Sequence, residues 1–122
     1  MKTKLIAAGL LAALPVSAAS AMNVADFLLK ADALEKKGMM ALFSSDLKLL
    51  KGEVEVAGKQ LRSERLAAQK AGRKPAYCPP AKGGMSPQEL VALLRTIPPA
   101  QRPRTELKDG LRTVFARKYP CS

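Results

Sequence analysis

Histidine and tryptophan are absent from these 122 residues, and cysteine occurs only twice. Without histidine, Ser-His and Cys-His nucleophile arrangements and the common imidazole metal sites cannot be assembled. Two thiolates, Cys78 and Cys121, are too few for a structural zinc site. No glycine-rich phosphate loop follows a strand pattern, and no D-x-D-x-D-G calcium loop is present. The composition therefore predicts a protein that is not an enzyme and that uses neither cofactor nor metal. Aromatics are scarce as well: Phe27, Phe43, Tyr77, Phe115 and Tyr119. A core must then be built mostly from Leu, Val and Ala, which suits helices packed on helices.

Apolar runs long enough to span a bilayer are also missing. The run from Leu5 to Leu14 is ten residues, about half of the ~20 that a transmembrane helix needs. Lys2 and Lys4 precede it, Pro15 breaks it, and Ala19-Ser20-Ala21 supplies an A-x-A cleavage site. Residues 1–21 therefore read as a secretory signal peptide, with a mature protein of residues 22–122 starting at Met22. That predicts a periplasmic or secreted chain forming one domain. A domain of this size buries only a little over ~60% of its unfolded surface, so a cross-link matters. An even cysteine pair in a short exported chain reads as a disulfide, Cys78 to Cys121, worth about 4 kcal/mol in the chain-entropy account. The competing reading is a reactive thiol pair, which usually carries C-x-x-C beside a βαβ pattern, and neither is present.

Charge is distributed unevenly. From Met22 to Gly58 there are five basic and six acidic residues, whereas Lys59 to Ser122 holds fourteen basic and four acidic ones. The second half thus invites an anionic partner. The signal peptide and the lack of a recognised binding motif argue against nucleic acid. Wall polymer, lipid headgroups and acidic proteins are the anions that an exported chain meets. A solvated basic surface with no partner is the plainer alternative.

Four segments have helical periodicity. The first runs from Asn23 to Lys37, with Asn23 as cap, Asp26 in the first turn, and Val24, Phe27, Leu28, Ala31 and Leu34 as its apolar stripe. Asp26, Asp32 and Glu35 are better read as a solvated face than as acid–base carboxylates. After the apolar piece Met39–Phe43, Ser44 or Ser45 caps a second helix that continues to about Ala71, with Leu47, Leu50, Val54, Ala57 and Leu61 facing inward. A rod of that length would overhang a small domain, so a bend near Gly52 or Gly58, or a projecting far end, is expected. Residues 72–85 form a loop. Ser86, Pro87 and Glu89 then open a third helix whose Leu90, Val91, Leu93, Leu94 and Ile97 suggest a central position. The fourth helix is expected from near Thr105, with Leu107, Leu111, Val114 and Phe115 inward and Pro120 ending it. The predicted fold class is all-α: a small bundle of about four helices with one disulfide.

Tyr77-Cys78-Pro79-Pro80 followed by Met85-Ser86-Pro87-Gln88-Glu89-Leu90-Val91, then Pro98-Pro99-Ala100-Gln101-Arg102 and the ending Tyr119-Pro120-Cys121, resembles a known signature. It is similar to the C-terminal half of the Rap/Tai immunity proteins of type VI secretion. In that family a Cys-x-Pro opens a Ser-capped apolar helix, a Pro-containing turn with Arg follows, and the last helix ends at Pro-Cys. The resemblance implies a small exported helical protein, often a homodimer, that inhibits an injected peptidoglycan amidase effector.

Two surfaces are candidates for partner binding. One is the loop after Cys78, with Lys82, Gly83, Gly84 and Met85, supplemented by Arg102 and Arg104 in the next turn. Such a loop, anchored at both ends, fits insertion into an enzyme cleft. The other is the basic arm at the end of the second helix, with Arg62, Arg65, Lys70, Arg73 and Lys74. That arm fits a second reading, in which the chain is an envelope-associated module that binds anionic polymer or lipid and has no toxin partner.

Overall fold

Asn23 starts the first helix as its residue type predicts. Its Oδ1 accepts a hydrogen bond from the Asp26 amide at 2.8 Å, and α1 follows over Val24–Lys37. Lys36 and Lys37 lie in the last turn, and Gly38, at φ 58°, supplies the left-handed residue that ends it. The computed structural model describes residues 21–122, so the predicted signal peptide, except its last residue, lies outside the described residues. The buried stripe of α1 is Val24, Phe27, Leu28, Ala31 and Leu34.

A 3-10 segment, Gly38–Phe43, leads to Ser44, whose Oγ accepts from the Asp46 amide and caps α2, Ser45–Lys70. This helix is continuous through Gly52 and Gly58, and its length is about 39 Å at 1.5 Å per residue. Its far end does not project as an arm. Leu50, Ala57, Leu61 and Ala68 are all buried, because α4 lies along it. The helix stops at Gly72, φ 75°, with the Arg73 amide bonded back to the Ala68 carbonyl at 2.8 Å.

The third helix departs most from its expected form. Ser86 Oγ accepts from the Glu89 amide at 3.1 Å and Pro87 occupies the first turn, but α3 covers only Pro87–Leu94. Leu94 and Ile97 are buried, whereas Leu90, Val91 and Leu93 are half-buried. The centre belongs instead to α1, which packs against α2, α3, α4 and both 3-10 segments. A second short 3-10 turn, Arg102–Arg104, precedes α4, Leu107–Lys118. Leu107, Leu111 and Val114 face the core, Phe115 is half-buried, and Pro120 follows the last turn.

The fourth helix begins at Leu107 rather than Thr105 because the backbone before it is already engaged. The Val24 amide donates to the Thr105 carbonyl at 2.8 Å, and the Leu107 amide donates to the Met22 carbonyl at 2.8 Å. These two bonds form an isolated antiparallel bridge between Asn23 and Glu106. They fasten the start of α1 to the start of α4. Directly beneath, Gly110 is buried in α4, and a Cβ there would lie 2.6 Å from Val24 Cγ2 and 3.2 Å from Ile97 Cδ1.

Glycine at 110 is therefore a packing requirement. Gly110→Ala is expected to destabilise the fold by about 1–3 kcal/mol, because overpacking outweighs the gain in helix propensity of about 1 kcal/mol. Gly58→Ala serves as the contrast, since a Cβ there meets nothing within 4 Å; it should stabilise by about 0.5–1 kcal/mol. Denaturant unfolding of both variants checks the pair, and a stabilised Gly110→Ala would contradict the packing described.

Candidate binding site

The chain between α2 and α3 is fixed at its start by covalent, aromatic and backbone contacts. Cys78 and Cys121 form the disulfide, with Cα atoms 5.0 Å apart. The Cys78 amide donates to the Tyr119 carbonyl at 2.8 Å. Tyr77 is buried against Phe115 at a centroid distance of 5.3 Å, and the Arg65 guanidinium lies 5.5 Å over the same tyrosine ring. Between this anchor and Ser86, the loop residues Pro80, Ala81, Lys82, Gly83 and Gly84 are exposed, and Met85 is half-buried. Gly83, at φ 105°, has a backbone conformation that a side chain would strain. The far anchor is one half of a capping box. Ser86 makes its bond to the Glu89 amide, but the Glu89 carboxylate accepts from Lys118 Nζ and ties α3 to α4.

The structure does not bring Arg102 and Arg104 to this loop. Arg102 Nε donates to the Ile97 carbonyl at 2.8 Å and its terminal nitrogen to the Arg95 carbonyl at 2.7 Å, so it closes the C-terminal end of α3. The loop enters that helix at the other end, about 12 Å away for eight residues. Arg104 is exposed in the same turn as Arg102. The partner-binding set drawn from the sequence is thus split, and its most buried cation is a helix-end ligand.

The basic arm separates into two kinds of residue. Arg65 is half-buried on Tyr77, while Arg62, Lys70, Arg73 and Lys74 are exposed. Between Arg62 and Arg65, Glu64 points to α4, where Arg112 binds it at 2.7 Å and Lys108 at 3.3 Å. Arg112 also binds Asp109 in its own helix. The Arg112 hydrogen bond, aided by Lys108 and opposed by partial burial, holds the Glu64 carboxyl below the usual glutamate range.

Three features had no sequence signal strong enough to reveal them. Arg95 binds both Asp32 and Glu35, so the acidic face of α1 clamps the end of α3. Met39, Met40, Leu42 and Phe43 stay exposed in the 3-10 segment. A shallow cleft lies beside the bridge, lined by Met22, Glu53, Val56, Ala57, Gln60, Glu106, Leu107 and Lys108. Its accessible volume is about 150 Å³, below the ~300 Å³ at which small-molecule sites begin. Among the described residues, no group of three or more Cys, Asp or Glu side chains is placed to hold a metal ion. What the surface offers is charge, one exposed loop and one apolar tip. Comparison with family models, curated proteins and solved structures finds no match to the chain.

The Glu64 cluster sets a pH dependence. A carboxyl with a depressed folded-state pKa contributes stability above its unfolded value of roughly 4.3, and that contribution disappears as pH falls through the folded value. Because the side chain remains 46% exposed, the contribution is small, about 0.5 kcal/mol. Glu64→Gln should lower stability by that amount near neutrality and by less at a pH below the ordinary glutamate value of roughly 4.3. Urea titrations at the two pH values check this. An equal deficit at both would assign the loss to packing rather than charge.

Proposed function

We propose that the mature chain is an exported, non-catalytic binding module that engages an anionic partner in the cell envelope through the basic end of α2 and the following loop. One observation carries the reading. Three of the four acids in the second half are engaged internally: Glu64 by Arg112 and Lys108, Asp109 by Arg112, and Glu89 by Lys118. Arg62, Lys70, Arg73, Lys74 and Lys82, in contrast, are exposed and enter no ion pair among the described residues. A contiguous stretch of uncompensated cations produces a field that attracts anions and weakens with salt. The disulfide is compatible with an oxidising compartment.

A second reading is favoured by the loop from Cys78 to Ser86, which is anchored at both ends and exposed between them. In that reading the loop enters the cleft of a peptidoglycan amidase and the chain is an immunity factor, as the Rap/Tai resemblance of Tyr77–Cys121 implies.

Binding of the disulfide-bonded mature protein to purified anionic wall polymer and to anionic vesicles tests the first reading. Arg62→Glu with Arg73→Glu should weaken the interaction at least tenfold, since each cation near an anionic surface contributes about 1 kcal/mol. Added salt should weaken it further. Lys82→Ala with Met85→Ala should weaken it by only about fivefold, because one charge of about 1 kcal/mol is removed. Loss of a co-purifying amidase from the loop variant, with the Arg62/Arg73 variant still bound to it, would replace the first reading by the second.

A further inference from the structure

The exposed apolar residues are concentrated at one end and along one side of α2. Met39, Met40, Leu42 and Phe43 are 81, 67, 68 and 83% exposed at the turn between α1 and α2. These are residue types that folded chains usually bury, and four together form a patch rather than scattered surface. The helix that follows continues the pattern. At 100° per residue, Lys48, Leu49, Val56, Lys59, Leu66 and Lys70 fall within an arc of roughly 100° on the outer side of α2, with Leu49 and Val56 on its edge toward the cleft beside α4. Leu49, Val56 and Leu66 are 41, 56 and 49% exposed there. Glu55, exposed and in no ion pair among the described residues, borders this arc about 20° from Lys48 and Leu66, so the face carries three lysines against one acid at its edge.

The charges around the tip have the same sign. Lys36 and Lys37 end α1, and Lys48 lies in the opening turns of α2. The acids nearby are occupied: Asp32 and Glu35 by Arg95, and Asp46 by Lys30. The result is a protruding apolar tip with an uncompensated lysine collar, continued by a helix face that interleaves leucine, valine and lysine. That pairing of terms is the one that an interfacial membrane helix requires, apolar burial together with attraction to anionic lipid. No helix among the described residues is long and apolar enough to cross a membrane, so the geometry suits lying on a bilayer rather than spanning it.

We propose that the tip Met39–Phe43 and the outer face of α2 are one docking surface for an anionic lipid bilayer. The tip enters the boundary between headgroups and acyl chains, and the lysines meet the headgroup charge. One register of a second copy on this face, the two-fold antiparallel pairing centred at Lys59, sets Lys59 against Lys59 and Lys48 against Lys70, like charge on like. The proposal rests on the reading of the chain as an envelope-binding module, names an anionic bilayer as its partner, and adds the tip and outer face of α2 to the basic end described above.

The chain has no tryptophan, so Phe43→Trp places a single reporter on the tip. With vesicles of phosphatidylcholine containing about a quarter phosphatidylglycerol, the emission should shift to the blue and be quenched by lipids brominated in their acyl chains. With phosphatidylcholine alone it should do neither. Met40→Ser with Phe43→Ser, and separately Lys48→Glu with Lys59→Glu, should each weaken vesicle binding about tenfold or more. Neither pair should move the thermal melting curve appreciably, since all four side chains are exposed. Vesicle binding that the tip pair leaves unchanged, or binding without a blue shift, overturns the proposal. Retention on wall polymer without vesicle binding overturns it and leaves the envelope reading standing, while failure on every anionic surface removes both. A dimer in lipid-free solution that the tip pair dissolves, without vesicle binding, assigns the face to a second copy and also overturns it.

Discussion

Val24 is the residue on which the two halves of the chain meet. It opens α1, has no solvent exposure, and lies against a glycine of α4 with so little space that a methyl group there would collide with it. Its amide is held by Thr105, and the carbonyl of Met22 holds the amide of Leu107. Chain termini usually fray. Here the first residues after the predicted cleavage point form a backbone bridge and a close-packed contact in the core. A mature chain starting at Met22 keeps every one of these interactions, whereas loss of two or three more residues would remove them. With this junction fixed, α4 has to run beside α2, and the end of α3 is set between α1 and α4.

The remainder of the second half is secured by contacts that leave one side of the molecule open. The disulfide, the Tyr77–Phe115–Tyr119 aromatic cluster and the Lys118–Glu89 pair all lie where α3, α4 and the long loop converge. Exposed ion pairs of this kind contribute little stability each, roughly 0.2–1 kcal/mol. Their larger effect is on the field. By occupying Glu64, Glu89 and Asp109 they leave the cations around them without internal compensation. Similarly, α4 covers the inner stripe of α2, and among the described residues no element covers the outer one, so the lysines, leucines and valine of that side are exposed. Core packing and surface charge pairing thus decide which cations and apolar groups remain uncovered.

Local chemistry was legible in the sequence wherever a few adjacent residues decide the outcome. The Asn23 and Ser86 caps, the stripes of α1 and α2 and the cysteine pair all belong to this group. Ser44 emerged as one of two candidates, and only the backbone distinguishes it from Ser45. What was not legible depends on long-range partners. The apolar run Leu90–Ile97 suggested a central helix, but the chain turns after Leu94 because Arg102 takes the carbonyls of Arg95 and Ile97. The same bond converts Arg102 from a candidate contact into a structural group. The start of α4 is set by the N-terminal bridge, more than eighty residues away in sequence, and Gly110 is required only once Val24 is placed against it. Met39 to Phe43 read simply as apolar, since hydrophobicity shows a preference for burial and not whether a partner is there to provide it.

The junction of Met22–Val24 with Thr105–Gly110 should be among the last structures to open. Native-state hydrogen exchange on the disulfide-bonded protein addresses it directly, residue by residue. The amides of Val24 and Leu107, donors of the two bridge bonds, should exchange only through global unfolding, with the same free energy as core amides such as Leu61 and Leu111. Exchange of Val24 and Leu107 at the low free energy of a fraying terminus, with the core still protected, would contradict the account.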